Sequence, residues 1–365
     1  MVGEAFFRFL NEKNKFMSKR KITLKKYSKA SNFYKNFKGQ FFDNNDQLLE
    51  AANQQNEFYA GQPKRNSCKL CGQLIPKRTD FISHGVDYVF CGFCGHLNGV
   101  FDDTKKYAEK IYISDSGSDY AKNYLDPNYE ERTRLIYEPK LEFLKNSFQG
   151  SLNSILDVGC GAGYFVAAAQ LHGVDAKGID VSKTMVDFGN SQIKNFFNKG
   201  PLLTFVDEDD FYNEIINSKE EVISAIGVIE HLREPDKFFD AFRKSDAKYL
   251  YYTLPMFSLS VILENVFPSV FPRHLSGGHT HLFTEKSIEK MHEIIGASPV
   301  SEWRFGTDIM DLYRASKIMI LKSGGSEFFS SLFDDSFAPL IDNLQAVLDE
   351  SHFCSEIHAL IKKDF

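Results

Sequence analysis

ILDVGCGAGYFVAAAQL, residues 155–171, changes backbone habit twice within seventeen residues. Its first four residues are apolar except for Asp157, which suits a short strand buried on both faces. GCGAG then supplies a turn, and YFVAAAQL has the alanine-rich make-up of a helix. AKGID, residues 176–180, restores a short strand that ends in Asp180. Residues 155–180 therefore read as a βαβ unit with an acid closing its second strand. Gly159, Gly161 and Gly163 let the backbone approach a ligand at the strand end, where open α/β sheets keep their ligands. That spacing by itself overlaps a dinucleotide-binding fingerprint.

Asp157 weighs against a dinucleotide. A carboxylate at the end of the first strand repels a pyrophosphate and attracts the ammonium of an amino-acid cofactor. Asp180 is suited to accept both hydroxyls of a ribose. DVGCGAGYF, with GID behind it, closely resembles the glycine-rich motif of the class I S-adenosylmethionine-dependent methyltransferases, from about Asn153 to Tyr252. The resemblance implies an α/β protein: a Rossmann-like class I methyltransferase sheet with helices on both faces, and S-adenosyl-L-methionine as cofactor. On the same resemblance the cofactor contacts are Asp157, Gly159, Gly161, Gly163, Asp180 with its neighbour Val181, Asp207 of FVDEDD near the adenine, and Gly227 and Val228 on the fourth strand.

That strand lies in EVISAIGVIEHLREP, residues 221–235, and hands over to Glu230 and His231. Imidazole titrates near neutral pH, so His231 is the candidate general base when the acceptor is a hydroxyl or a carbon acid. Glu230 is expected to orient it or to bind substrate. After the fifth strand, KYLYYTLP, a lid insertion at about 255–282 carries an apolar helical run and then RHLSGGHTH, residues 273–281. Three histidines in so short a span suit a metal, but no carboxylate stands among them. The expectation is a loop closing over the pocket, with Arg273 and His274 binding substrate and His279 and His281 as further catalytic candidates. FTEKS reads as a helix start, with Thr284 as N-cap and Ser287 at N3.

Cysteines are organised elsewhere. CKLCG places Cys68 and Cys71, CGFCGH places Cys91 and Cys94, and nineteen residues separate the pairs. Each pair forms a knuckle whose four thiolates can converge on one ion, which predicts a small zinc-ribbon-like module with a structural Zn2+ and no open coordination position. Two disulfides fit a reducing compartment poorly. His84 and His96 are expected to be neighbours of this site and not ligands.

The chain has 365 residues, 43% of them apolar, and a mean hydropathy of −0.30. With no uninterrupted apolar stretch of about 20 residues and no secretory leader pattern, a cytoplasmic protein without a membrane span is expected. Residues 1–38 carry eleven Lys and Arg against Glu4 and Glu12, so a basic arm precedes an acidic body. The expected organisation is a basic, partly helical arm over 1–64, the four-cysteine module over 65–100, a helical linker or cover over 101–150, the methyltransferase core over 151–325, and an amphipathic helical tail over 326–365 that suits a homodimer and equally suits packing onto its own core.

A cysteine-rich module ahead of such a core, with an acid–His pair after the fourth strand, resembles the sugar C- and O-methyltransferases. That resemblance implies a small anionic substrate, a nucleotide-linked or polysaccharide-precursor sugar, although the region after the core is shorter here. The zinc-containing rRNA guanine methyltransferases are a second resemblance, favoured by the basic arm. The acidic remainder, the lack of aromatic residues interleaved with basic ones around the cysteines, and the lack of an Asn/Asp-Pro-Pro-aromatic motif count against nucleic acid as partner. A non-catalytic cofactor-binding module is the third reading; it leaves Asp157, Asp180 and the glycines without a task.

Overall fold

The computed structural model describes residues 22–31, 40–113, 128–148, 150–275 and 279–365. Residues 1–21 and 32–39 of the expected basic arm, and the Gly277–Gly278 pair of the loop, lie outside the described residues. Strands are numbered β1 to β12 in chain order. The central strand is β5 (Ser154–Val158), flanked in parallel by β6 (Asp175–Asp180) and β8 (Val222–Ile226). Asp157 stands opposite Gly178 on one side and Ser224 on the other. β7 (Leu203–Phe205) lies outside β6, and β9 (Tyr249–Pro255) runs parallel to β8. The chain goes from β5 outward to β6 and β7, then returns to the other side of β5 for β8. This reversal of strand order opens a crevice at the carboxyl ends of β5 and β8.

Helices cover both faces. On one, α2 (Glu138–Asn146), α3 (Tyr164–Leu171) and α4 (Lys183–Phe197) enclose a core that includes Leu141, Phe143, Phe165, Ile193 and Trp303. On the other, α5 (Glu208–Ile216), α6 (Pro235–Lys244) and α8 (Glu285–Ile295) contribute Phe211, Phe238, Phe242 and Met291. The four cysteines pack against this second core. α1 (Asn45–Ala60) precedes the cysteine module, α7 (Leu259–Val266) lies in the lid insertion, and α9 (Asp308–Lys322) follows β11 (Ala297–Phe305).

The far half of the sheet departs from the expected boundaries. Residues 327–337 and 341–350 are helical, but EIHALIKK is a strand, β12 (Glu356–Lys363), not part of a helical tail. It runs antiparallel between β9 and β11, so the sheet extends past the expected core limit at 325. Alternation explains it: Ile357, Ala359 and Ile361 enter one core and Leu360 the other, a period of two that a helix would scatter. Within the segment expected to be an arm, β1 (Leu24–Tyr27) pairs in parallel with the outer edge of β11.

A second, smaller sheet joins β2 (Phe81–Ser83), β3 (Val86–Phe90) and β4 (Leu97–Gly99) to β10 (His281–Leu282). The end of the lid insertion is thus a strand of the cysteine module. No helix among the described residues is long and apolar enough to cross a membrane.

Candidate active site and four-cysteine cluster

The glycine turn lines a cavity of about 700 Å³ at the strand ends. Gly159 has φ +64°, and a Cβ there would meet Val228 Cγ2 at 2.7 Å. Gly163 has φ +72°, with Leu203 Cδ1 at 2.6 Å from the same position. Both the left-handed turn and the close approach of its neighbours therefore demand glycine. Gly227, also at positive φ, donates its N–H to Thr253 Oγ1 (2.9 Å) and turns the chain from β8 toward Glu230.

Two acids share the cavity. Asp157 is 3% exposed and accepts a 2.6 Å hydrogen bond from Ser224 Oγ. Burial pushes its carboxyl up to about 7. Asp180 accepts from the backbone N–H of Gly161 and of Ser182, each at 2.7 Å, which fixes its plane at the end of β6. Burial raises this carboxyl too, and those backbone donors oppose the rise. Val181, Gly161 and Val228 line the same cavity, whereas Asp207 is exposed and faces an adjoining shallow cleft; Glu208 and Asp209 border both.

Glu230 and His231 sit on a single 3-10 turn, Ile229–His231. Glu230 is 4% exposed, burial raises its carboxyl to about 8, and its Oε2 has no hydrogen-bond partner. His279 arrives from the lid: its ring stacks on His231 with centroids 5.0 Å apart. One ligand atom from each of Glu230, His231 and His279 lies within 4.8 Å of the other two. Burial, and then the neighbouring His231 and His274, hold His279 well below the ordinary histidine range.

Arg273 and His274 also line the cavity. The Arg273 guanidinium donates to Thr307 Oγ1 (2.8 Å) and lies 3.4 Å from Asp311, so a substrate anion competes with a protein carboxylate for it. His281 corrects an expectation. It points into the cysteine module, where its Nδ1 lies 2.8 Å from Nε2 of His96, and it does not line the cavity. The reason is pairing: His281 opens β10 opposite Asn98 of β4, which sets it against His96 in the small sheet.

Sequence reading missed Lys140, Tyr212 and Glu356, all of which line the cavity. Burial lowers the Lys140 amine, with Glu356 opposing. Their local contexts are two ordinary amphipathic helices and the start of a strand, so no motif marks them. It also missed Glu264, a buried carboxylate on α7 that accepts the backbone N–H groups of Arg273, His274 and Leu275 and so sets the loop's path.

The four cysteines converge as their spacing implies. Cys68 and Cys94 Sγ are 3.6 Å apart, Cys71 and Cys91 Sγ 3.7 Å, and all four lie within 4.8 Å of one another. None is in a disulfide. The two knuckles repeat one pattern, with Gly72 N–H bonded to Cys68 O (2.9 Å) and Gly95 N–H to Cys91 O (2.8 Å). Asn98 Nδ2 donates to Cys68 Sγ (3.6 Å), an outer contact of the kind that steadies a metal-bound thiolate. Neither His84 nor His96 joins the group: His84 Nε2 faces Val270 O and His96 faces His281. The cluster can hold a metal ion.

Residues 129–302 match a methyltransferase-domain family, Methyltransf_23. A comparison with curated proteins finds no match. Solved structures of similar fold include the magnesium protoporphyrin IX methyltransferase of Synechocystis PCC 6803 with bound SAH, 14% identical at a TM-score of 0.46, covering 72% of this chain and 100% of that one. A phosphoethanolamine N-methyltransferase 2 from Haemonchus contortus is 15% identical at 0.44, covering 70% of this chain and 59% of that one. An S-adenosylmethionine-dependent methyltransferase from Archaeoglobus fulgidus is 16% identical at 0.39, covering 65% and 100%. The family match runs through the glycine turn, both acids and the Glu230–His231 turn, set on a doubly wound sheet. The chain is an S-adenosylmethionine-dependent methyltransferase with a class I fold.

Proposed function

We propose that the protein transfers the methyl group of S-adenosylmethionine to a carbon or a hydroxyl oxygen of a small anionic acceptor, a nucleotide-linked or polysaccharide-precursor sugar. The observation that carries this reading is the grouping of Glu230, His231 and His279 on the cavity that also holds Asp157 and Asp180. Asp157 would take the cofactor's ammonium and Asp180 its ribose. The acceptor then lies in line with the sulfonium, and much of the rate comes from that positioning. Its proton has to leave before or as the methyl arrives, and His231 is the group we assign to draw it off, with Glu230 behind it. Lys105, Arg233, Lys237 and Arg273 border the cavity and are the groups an anionic acceptor would draw on, in competition with Glu234 and Asp311, which pair with the last three. Its volume is of the size that holds a cofactor and a small molecule.

We assign the four-cysteine cluster to a structural zinc. Zn–S bonds of about 2.3 Å in a tetrahedron place the sulfurs about 3.8 Å apart, close to the separations observed. With four thiolates the ion has no open position, so its part is to fold the module.

The test is transfer of isotope-labelled methyl from S-adenosylmethionine into a size- and charge-fractionated extract of the source organism. Label in the small anionic fraction, lost in His231→Ala with cofactor affinity retained, is the expected result. Label in RNA overturns the assignment of acceptor.

A further inference from the structure

We infer that Glu230, His231 and His279 form a binding site for a divalent first-row transition cation, separate from the four-cysteine cluster. Two imidazoles and one carboxylate are a donor set that such ions accept while keeping positions open. The three side chains come from two segments far apart in sequence, the turn after β8 and the end of the lid loop. They meet inside the cavity with ligand atoms within 4.8 Å of one another. Ligand bonds of about 2.0–2.2 Å put neighbouring donors roughly 3.0–3.5 Å apart, so rotamer adjustments on the order of 1 Å close the set.

Two further observations point to a cation. Glu230 Oε2 is buried on a side chain that is 4% exposed and has no hydrogen-bond partner. A buried carboxyl oxygen left in this state costs stability unless the group keeps a proton or a positive charge faces it, and a bound cation supplies that charge. His279 Nδ1 lies 2.9 Å from the carbonyl oxygen of His274. A carbonyl only accepts, so Nδ1 carries the hydrogen and Nε2 presents a lone pair. A backbone carbonyl holding the far nitrogen is the arrangement that orients imidazole toward a metal. Neither feature is accounted for by His231 acting alone as a base.

The mechanistic consequence rests on the proposed function and refines the role of His231 from base to ligand. The cation's open positions take the acceptor oxygen and lower its pKa. The hydroxyl proton leaves to solvent, the oxygen takes the methyl, and the sulfonium C–S bond breaks with its electron pair staying on sulfur. Cation binding itself does not depend on the acceptor's identity.

The experiment is titration of the zinc-loaded, full-length protein with Mn2+ alone, followed by electron paramagnetic resonance. Mn2+ favours oxygen and nitrogen donors, so the thiolate cluster keeps its zinc. The expected result is one Mn2+ bound per chain with nitrogen couplings from imidazole. Losing even an outer partner of a ligand costs about 10–100-fold in affinity, so Glu230→Gln and His279→Ala each weaken binding at least about tenfold. Zinc content and melting temperature, measured alongside, stay near wild type and separate ligand loss from unfolding. Absence of stoichiometric Mn2+, absence of nitrogen coupling, or equal binding by both variants overturns the site. If methyl transfer persists in that case, the proposed function stands with His231 as the base. Mn2+ binding without methyl transfer to any small acceptor sinks the proposed function and leaves the cation site.

Discussion

His96 Nε2 and His281 Nδ1 lie 2.8 Å apart in the interior, one residue following the second cysteine knuckle and the other two residues past His279. Burial, and then the charges of Arg65 and Lys69, bring His96 down to about 3; burial and Lys69 lower His281 as well, so the pair is neutral at pH 7. The bond links the cysteine cluster to the loop that carries His279. Removing the zinc proposed for the cluster, by Cys91→Ser or by a thiol-reactive mercurial, is expected to disorder the small sheet and release β10. Turnover should fall more than about tenfold while cofactor affinity changes far less, because the glycine turn lies on the large sheet. Equal loss of both in paired kinetics and calorimetry would show that no such division exists.

If Asp157 takes the cofactor's ammonium as proposed, cofactor binding is expected to depend on pH. The folded pKa of Asp157, about 7, lies above the usual carboxylate value, so its contribution to apo stability is full in acid and is lost as pH rises through 7. Cofactor binding has the opposite sign, since an ammonium favours the ionised carboxylate. Below pH 7 binding therefore expels a proton, and Kd weakens toward about tenfold per pH unit. Calorimetry in buffers of different ionisation enthalpy measures that proton. Asp157→Asn should bind the cofactor weakly, show no such proton release, and melt higher than wild type at pH 8 without ligand.

Glu264 positions the loop without touching the reacting atoms. Its carboxylate accepts three successive backbone N–H groups at Arg273, His274 and Leu275. Glu264→Ala leaves these donors buried and should cost about 2–4 kcal/mol. Glu264→Gln keeps one acceptor oxygen and should recover part of that loss. Turnover is expected to fall in the same order with cofactor Kd little changed; unaltered kinetics in the alanine variant would remove the loop from the mechanism.

Gly159→Ala meets two separate penalties. The left-handed backbone costs roughly 1–2 kcal/mol, and the overlap with Val228 adds about 1–3 kcal/mol. Val228→Ala in the same chain relieves the overlap but not the backbone strain, so the double variant should regain only part of the stability. Denaturant unfolding of the four proteins in the cycle separates the two terms.

Truncation after His352 deletes β12 and should leave no folded enzyme. The strand bonds to β9 on one side and β11 on the other, and its loss exposes two ladders and both cores. Soluble expression of a chain with native far-ultraviolet dichroism would contradict this.

Much of the fold is legible in the sequence wherever the signal is local. The glycine turn, the cysteine knuckles and the Thr284–Ser287 cap each depend on residues within a few positions of one another. The cap is present as a reciprocal pair, Ser287 N–H to Thr284 Oγ1 (3.2 Å) and Thr284 N–H to Ser287 Oγ (2.8 Å). EIHALIKK is harder, because eight residues with four apolar side chains are compatible with a helix until the two flanking strands exist.

The candidate site divides the same way. Sequence by itself determined the βαβ turn, its two acids, the four thiols and the adjacency of Glu230 and His231, since backbone sterics and donor chemistry act over short spans of chain. Tertiary structure alone decided that His279 joins that pair and His281 does not. Pairing of β10 with β4 fixes His281 beside His96, whereas His279 precedes that strand and lines the cavity. Side chains two apart on a strand share a face only while the strand continues, and β10 begins at His281, so the residue that reaches the site is set by where pairing starts.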